Sequence, residues 1–194
     1  MSAFKPVVAT AGILLALSDI LQGVTSGSTF SDQVVRPTYV AGSFLGLVGC
    51  FVLALALLLV HRRVGDRTGR GGLIAALTAG FGVMLLAAVN WSTSFVDPAA
   101  AKTVPAFIND TPPAILVVGY FATLLWFGLS WVMYAVVAMR SGTLPRPPLV
   151  ILLFGALASA LPFVPFGMAA FGVALVWLGL APARAQVPAL APAS

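Results

Sequence analysis

Asp19 is the one clear ionisable side chain inside the apolar stretches of this chain, and it has the widest scope for chemistry. It interrupts the run Val7–Val24. A charged group inside a membrane span costs about 2.5–3.5 kcal/mol on insertion scales, so it turns toward a bundle interior and a partner there. A carboxyl in that setting can anchor a ligand or supply a proton. Helical steps of three and four place Ala9, Gly12, Ala16, Asp19 and Gly23 on one stripe, with Gln22 beside it. Small residues let a neighbouring backbone approach closely, so this stripe is a packing face that carries Asp19 inward.

Other polar residues follow the same spacing. Ala76, Gly80, Val83, Ala87, Asn90, Ser94 and Asp97 share one face, small in its first half and polar in its second. Tyr120, Thr123, Phe127, Ser130 and Tyr134 form another face, and Tyr39, Gly42, Gly46 and Gly49 a third. Counted from the ends of their stretches, Asp19, Asn90 and Tyr120 lie at matching depths, roughly 7–11 Å below one membrane boundary at 1.5 Å per residue. The expected ligand-binding set is therefore Asp19, Gln22, Tyr39, Asn90, Ser94, Tyr120, Thr123 and Trp126. The plainer alternative for Asn90, Ser94, Thr123 and Ser130 is structural glue, since interhelical hydrogen bonds in membranes average about 0.6 kcal/mol. Trp91 and Trp177 lie near stretch ends and suit an interfacial belt; Trp126 and Trp131 lie deeper, where they wall a pocket or fill the core.

The elements that must position these groups are long apolar helices. The chain is 60% hydrophobic and only 8% charged, with a mean hydropathy of +1.07, against about 25% charged residues in soluble proteins. A crossing needs roughly 20 apolar residues. Runs that approach this length are Val7–Val24, Tyr39–Val60, Gly72–Phe95, Pro113–Met139, Pro148–Leu161 and Phe166–Ala181. The last two are short and separated by Pro162-Phe163-Val164-Pro165, which predicts a tight helical hairpin rather than one over-long helix; two short crossings and a re-entrant loop both fit it, and two crossings are the expectation. The expected fold is an all-α polytopic membrane bundle of six transmembrane helices over residues 1–181, followed by a disordered Ala/Pro-rich tail at 182–194.

Basic residues orient the bundle. Placing the N-terminus inside puts Lys5, Arg62, Arg63, Arg67, Arg70, Arg140, Arg146 and Arg184 on the cytoplasmic side, and leaves only Arg36 and Lys102 outside. Short basic loops stay cytoplasmic, so the expected arrangement is N-in, C-in, in a multi-pass plasma-membrane protein. The same asymmetry explains the net charge of +5 without a nucleic-acid partner. The run from His61 to Arg70 could also hold anionic lipid headgroups. The first stretch reads as a retained helix rather than a signal peptide, because Ser18 and Asp19 interrupt it and no small-x-small cleavage site follows.

Cofactor chemistry is thinly provided for. Cys50 is the only cysteine and His61 the only histidine, so neither a disulfide nor a zinc or haem site is expected from this chain. Gly69-Arg70-Gly71-Gly72 lacks the Lys and the strand setting of a phosphate loop and reads as a helix start.

The segment Arg140-Ser141-Gly142-Thr143-Leu144-Pro145-Arg146, before the short hairpin, resembles a loop in small polytopic membrane proteins of high-GC Gram-positive bacteria, whose function is unassigned. That resemblance covers roughly the last 80 residues and implies architecture, not chemistry. Six helices in under 200 residues also resembles the substrate-binding subunits of energy-coupling vitamin transporters, which dock partners through small-residue stripes; Gly12-x-x-x-Ala16 and Ala75-x-x-x-Ala79 match such stripes generically.

Three functions fit. The first is a binding or transport-type protein whose outward polar and aromatic pocket takes a small amphipathic or apolar molecule. The second is an accessory subunit of a larger membrane complex, with a membrane-protein partner or a second copy. The third is an intramembrane cyclase or isomerase of a lipophilic substrate, with Asp19 as acid and the faces of Tyr120, Trp126 and Phe127 stabilising developing positive charge. The chain has no Glu and no buried His, so a second acid–base group would have to be Tyr, Asn or water.

Overall fold

The computed structural model describes residues 4–25, 27, 29–109, 114–161, 164 and 166–181. The tail at 182–194 and most of the Pro162–Pro165 turn lie outside these residues. Among those described, the chain is helical and contains no strand. The elements are α1 (Phe4–Gly23), α2 (Phe30–Val34), α3 (Pro37–Trp91), a π-helical turn (Ser92–Val96), α4 (Asp97–Thr103), α5 (Pro105–Asn109), α6 (Ala114–Ser141), α7 (Arg146–Ser159) and α8 (Gly167–Leu180). Three continuous helical segments are long and apolar enough to cross a membrane: Phe4–Gly23, Pro37–Thr103 and Ala114–Ser141.

The longest of these is a hairpin. α3 bends at Gly69, whose φ of 54° and ψ of −144° belong to the region where a side chain is strained. The outgoing arm (37–68) and the returning arm (70–91) then lie antiparallel, with Asn90 beside Cys50 and Gly80 beside Leu57. The expected basic loop after Val60 is therefore helix as far as Thr68. Arg and His are tolerable helix formers, and the first break comes at a glycine able to take positive φ.

Side-by-side contacts run the chain into a closed ring. α1 packs on the outgoing arm, the returning arm on α6, α6 on α7, α7 on α8, and α8 returns to α1. α8 runs antiparallel to α1 along its whole length. Gly179 lies against Lys5 and Ala9, Gly172 against Gly12 and Ala16, and the Phe166 ring against Gly23. At the crossing a Cβ on either Gly12 or Gly172 would collide with the other's carbonyl oxygen. The α1 stripe read as a packing face thus meets α8, and the start of α1 and the end of α8 share one end of the bundle.

The ring is filled by Leu15, Leu53, Val83, Phe127, Trp131, Tyr134 and Phe171, all buried. Trp131 fills the core, edge-on to Phe171 at 5.0 Å and to Tyr134 at 5.7 Å. Outward-facing residues such as Phe51, Leu58, Leu77 and Met84 are more than half exposed. Such a surface fits hydrocarbon as its solvent.

At the end of the ring away from Gly69, the segments expected to be loops carry short helices. Thr29 caps α2 by accepting a hydrogen bond from the Asp32 N–H at 3.3 Å. The Ser31 N–H donates to Asn109 Oδ1 and Asn109 Nδ2 to Ser31 Oγ, both at 2.9 Å, which ties α2 to α5.

Candidate functional site

A cavity of about 180 Å³ opens at that same end, and all six helical arms contribute to its wall. α1 supplies Ser18, Asp19 and Gln22, the two α3 arms Tyr39 and Asn90, α6 Tyr120, α7 Ser159, and the tip of the α7–α8 hairpin Val164, Gly167 and Met168. The volume is comparable to the roughly 150 Å³ cavity that accepts benzene in an engineered protein.

Asp19 is fixed from across the ring. Its Oδ2 accepts a hydrogen bond from the Ala169 backbone N–H at 2.8 Å, in the first turn of α8. The four leading N–H groups of a helix need outside partners, and the residue at the α8 N-cap, Phe166, provides no side-chain hydrogen bond. Phe166 itself adopts a left-handed conformation with φ 60°, a rare choice for a bulky residue. That turn aims the α8 amides at α1, where the helix dipole complements negative charge. The partner of the Asp19 carboxylate is thus the α8 N-terminus.

Asn90 is more fully buried, 8% exposed. Its Nδ2 donates to the Leu86 carbonyl at 3.0 Å and to Cys50 Sγ at 4.0 Å. Its backbone carbonyl accepts the hydroxyls of Ser94 at 2.6 Å and Thr93 at 3.1 Å. Such back-bonding loosens a helix, and the π-helical turn starts two residues later. Ser92 Oγ then donates to Asp97 Oδ1 at 3.1 Å.

Gly46 makes room between these groups. A Cβ there would collide with Asn90 Oδ1 and lie 2.6 Å from Ser18 Oγ. Ser18 Oγ also accepts from Gln22 Nε2 at 3.1 Å. Near the mouth, Tyr39 meets Phe30 of α2 edge-on at 6.3 Å, and Asp97 lies within electrostatic reach of both Tyr39 and Tyr120.

Of the residues expected at the site, Asp19, Gln22, Tyr39, Asn90 and Tyr120 line this one cavity. Ser94, Thr123 and Trp126 do not. Ser94 is buried against the Asn90 carbonyl, and Thr123 is half-buried outside the lining. Trp126 is 45% exposed on the outer surface, where its Nε1 donates to the Thr78 carbonyl at 3.3 Å and its ring meets Phe81. Phe127, fully buried in the core, is also absent from the wall. Sequence reasoning missed Ser18, Thr93 and the hairpin tip. Ser18 could have been found from its i, i+4 spacing to Gln22; nothing local announces that the tip folds back over Asp19.

Fold and site together define a helical bundle of membrane-spanning character with a polar cavity at one end. No protein-family model matches the chain, and no curated protein or solved structure is detectably similar to it.

Proposed function

We propose that this chain is a membrane-embedded binding protein, of transport type, whose cavity receives a small amphipathic molecule from the outer face. The observation that carries this reading is the convergence of Asp19, Asn90, Tyr39 and Tyr120 from four separate arms on one open cavity. A structural hydrogen-bonding network would close such a space, because voids forfeit packing contacts.

In this reading the chain crosses the membrane six times, with both termini cytoplasmic. The alternation of the arms around the ring supports it, as does the count of basic residues. α7 and α8 are 14 residues each, about 21 Å at 1.5 Å per residue. With the intervening turn, however, α8 runs beside α1 from Lys5 to Gly23, which supports crossing over re-entry.

The competing functions lose part of their basis. Gly12 and Ala16 face α8, and Ala75 and Ala79 are fully buried, so both small-residue stripes are occupied within the chain. Trp126 and Phe127 lie outside the cavity, which leaves a cyclase without two of its three expected aromatic faces.

Cysteine labelling tests this reading. In a Cys50→Ala background, Lys102→Cys and Thr93→Cys should react with a small hydrophilic thiol reagent added outside intact cells, and Arg70→Cys only after permeabilisation. Outside labelling of Arg70→Cys would overturn the topology. An inert Thr93→Cys beside a reactive Lys102→Cys would overturn the open cavity.

A further inference from the structure

We infer that the ligand of this cavity is a small organic cation, an ammonium group on a short apolar body; this rests on the binding reading proposed above. Among the described residues Asp19 is the only charged side chain in the lining, and none of them there is Lys, Arg or His. Its interior partners are neutral backbone amides at the start of α8, those of Ala169 and Met168. The α8 dipole eases that charge without cancelling it, since a helix end is equivalent to about half an elementary charge.

The hydrogen-bonding inventory points the same way. The Asn90 amide N–H groups are directed to Leu86 and Cys50, and the Gln22 N–H to Ser18. Among the described residues no hydrogen bond reaches Asn90 Oδ1, although Asn90 is more than nine-tenths buried and lines the cavity. The cavity therefore offers acceptors: the Asp19 carboxylate, held only by neutral amides, and the Asn90 side-chain oxygen Oδ1. A complementary ligand donates, and beside a carboxylate the fitting donor is an N⁺–H group. Tyr39 and Tyr120 add two aromatic rings to the wall, the side chains that attract cations, and Leu15, Leu86, Val89 and Leu124 an apolar part. Asp97 adds a second negative charge near Tyr39 and Tyr120. An anionic ligand would meet the Asp19 and Asp97 carboxylates, with no cationic side chain among the described lining residues to offset them.

The test uses the purified protein in nanodiscs at constant ionic strength, with the unfolding midpoint as readout. Butylammonium should raise the midpoint saturably, whereas 1-butanol, butyrate and sodium should not. Asp19→Asn should raise the half-saturating concentration about 30-fold or more, since loss of one partner of a buried charge pair costs 2 kcal/mol or above. Tyr120→Leu, at a half-exposed position that tolerates change, should weaken binding about 2–5-fold through loss of a cation–π face. Equal stabilisation by butanol, or by sodium, overturns the organic cation while leaving an occupied cavity. No shift with any probe, while Thr93→Cys still labels from outside, also overturns the ligand class and leaves the cavity standing. No shift together with an inert Thr93→Cys overturns both readings. Should Asp19→Asn fail to fold, wild-type-like binding by Tyr120→Leu still counts against the proposal.

Discussion

The Asp19 carboxylate caps a helix that begins nearly 150 residues later in the chain, accepting the Ala169 N–H at 2.8 Å. One side chain thereby joins the first arm of the ring to the last and faces the cavity as well. The two roles separate by substitution. Asp19→Ala removes the cap and should cost about 0.5–2 kcal/mol of stability, whereas Asp19→Asn keeps a good capping oxygen and should cost less than half of that. Reversible unfolding in mild detergent measures the difference. Equal losses for the two variants would mean that charge, rather than capping, holds α8 to α1.

The α1–α8 seam depends on the absence of two side chains. Gly172→Ala would drive a methyl group into the Gly12 carbonyl and should cost about 1–3 kcal/mol, as overpacking does. Gly80→Ala is the control, because its Cβ would meet only Leu57 Cδ2 at 3.7 Å. That change should be neutral or stabilising, by up to about 1 kcal/mol from helix propensity. Matching melting temperatures for the two variants would remove the seam from the account.

Much of this arrangement is legible in the sequence because parallel rods of constant rise preserve depth. Counting residues from the span ends brings Asp19, Asn90 and Tyr120 to one level, and helical steps bring Asp19 and Asn90 to interior faces. The stripe on α6 is less faithful. At 100° per residue Thr123 is about 60° from Tyr120 around the helix, and Trp126 about 120°, which turns its ring to the outer surface. Ser94 is displaced for another reason: the π-helical turn at Ser92–Val96 has a spacing that no 3.6-residue pattern anticipates. The α8 N-terminus escapes any local reading, since its partner is a carboxylate on the first helix. The short helices at the cavity end do carry signals, with Thr29 capping α2 and Pro near the start of α4.

Gly69 tests the hairpin of α3 without disturbing any packing. A Cβ at Gly69 or at Gly71 would meet no atom within 4 Å, and only Gly69 has positive φ. Gly69→Ala should therefore cost about 1–3 kcal/mol from backbone strain alone, while Gly71→Ala should cost little. A Gly69→Ala protein as stable as Gly71→Ala would show that the turn relaxes into another geometry.

The most direct measurement of the central claim follows the side-chain nitrogens of Asn90 and Trp126 by ¹⁵N NMR while butylammonium is titrated into the nanodisc-embedded protein. Asn90 lines the cavity, whereas Trp126 lies on the outer surface of the same bundle. The expected result is a saturable shift of the Asn90 amide with the Trp126 indole unmoved. A shifting Trp126 indole beside an unmoved Asn90 would put the ligand on the lipid-facing surface and contradict the account.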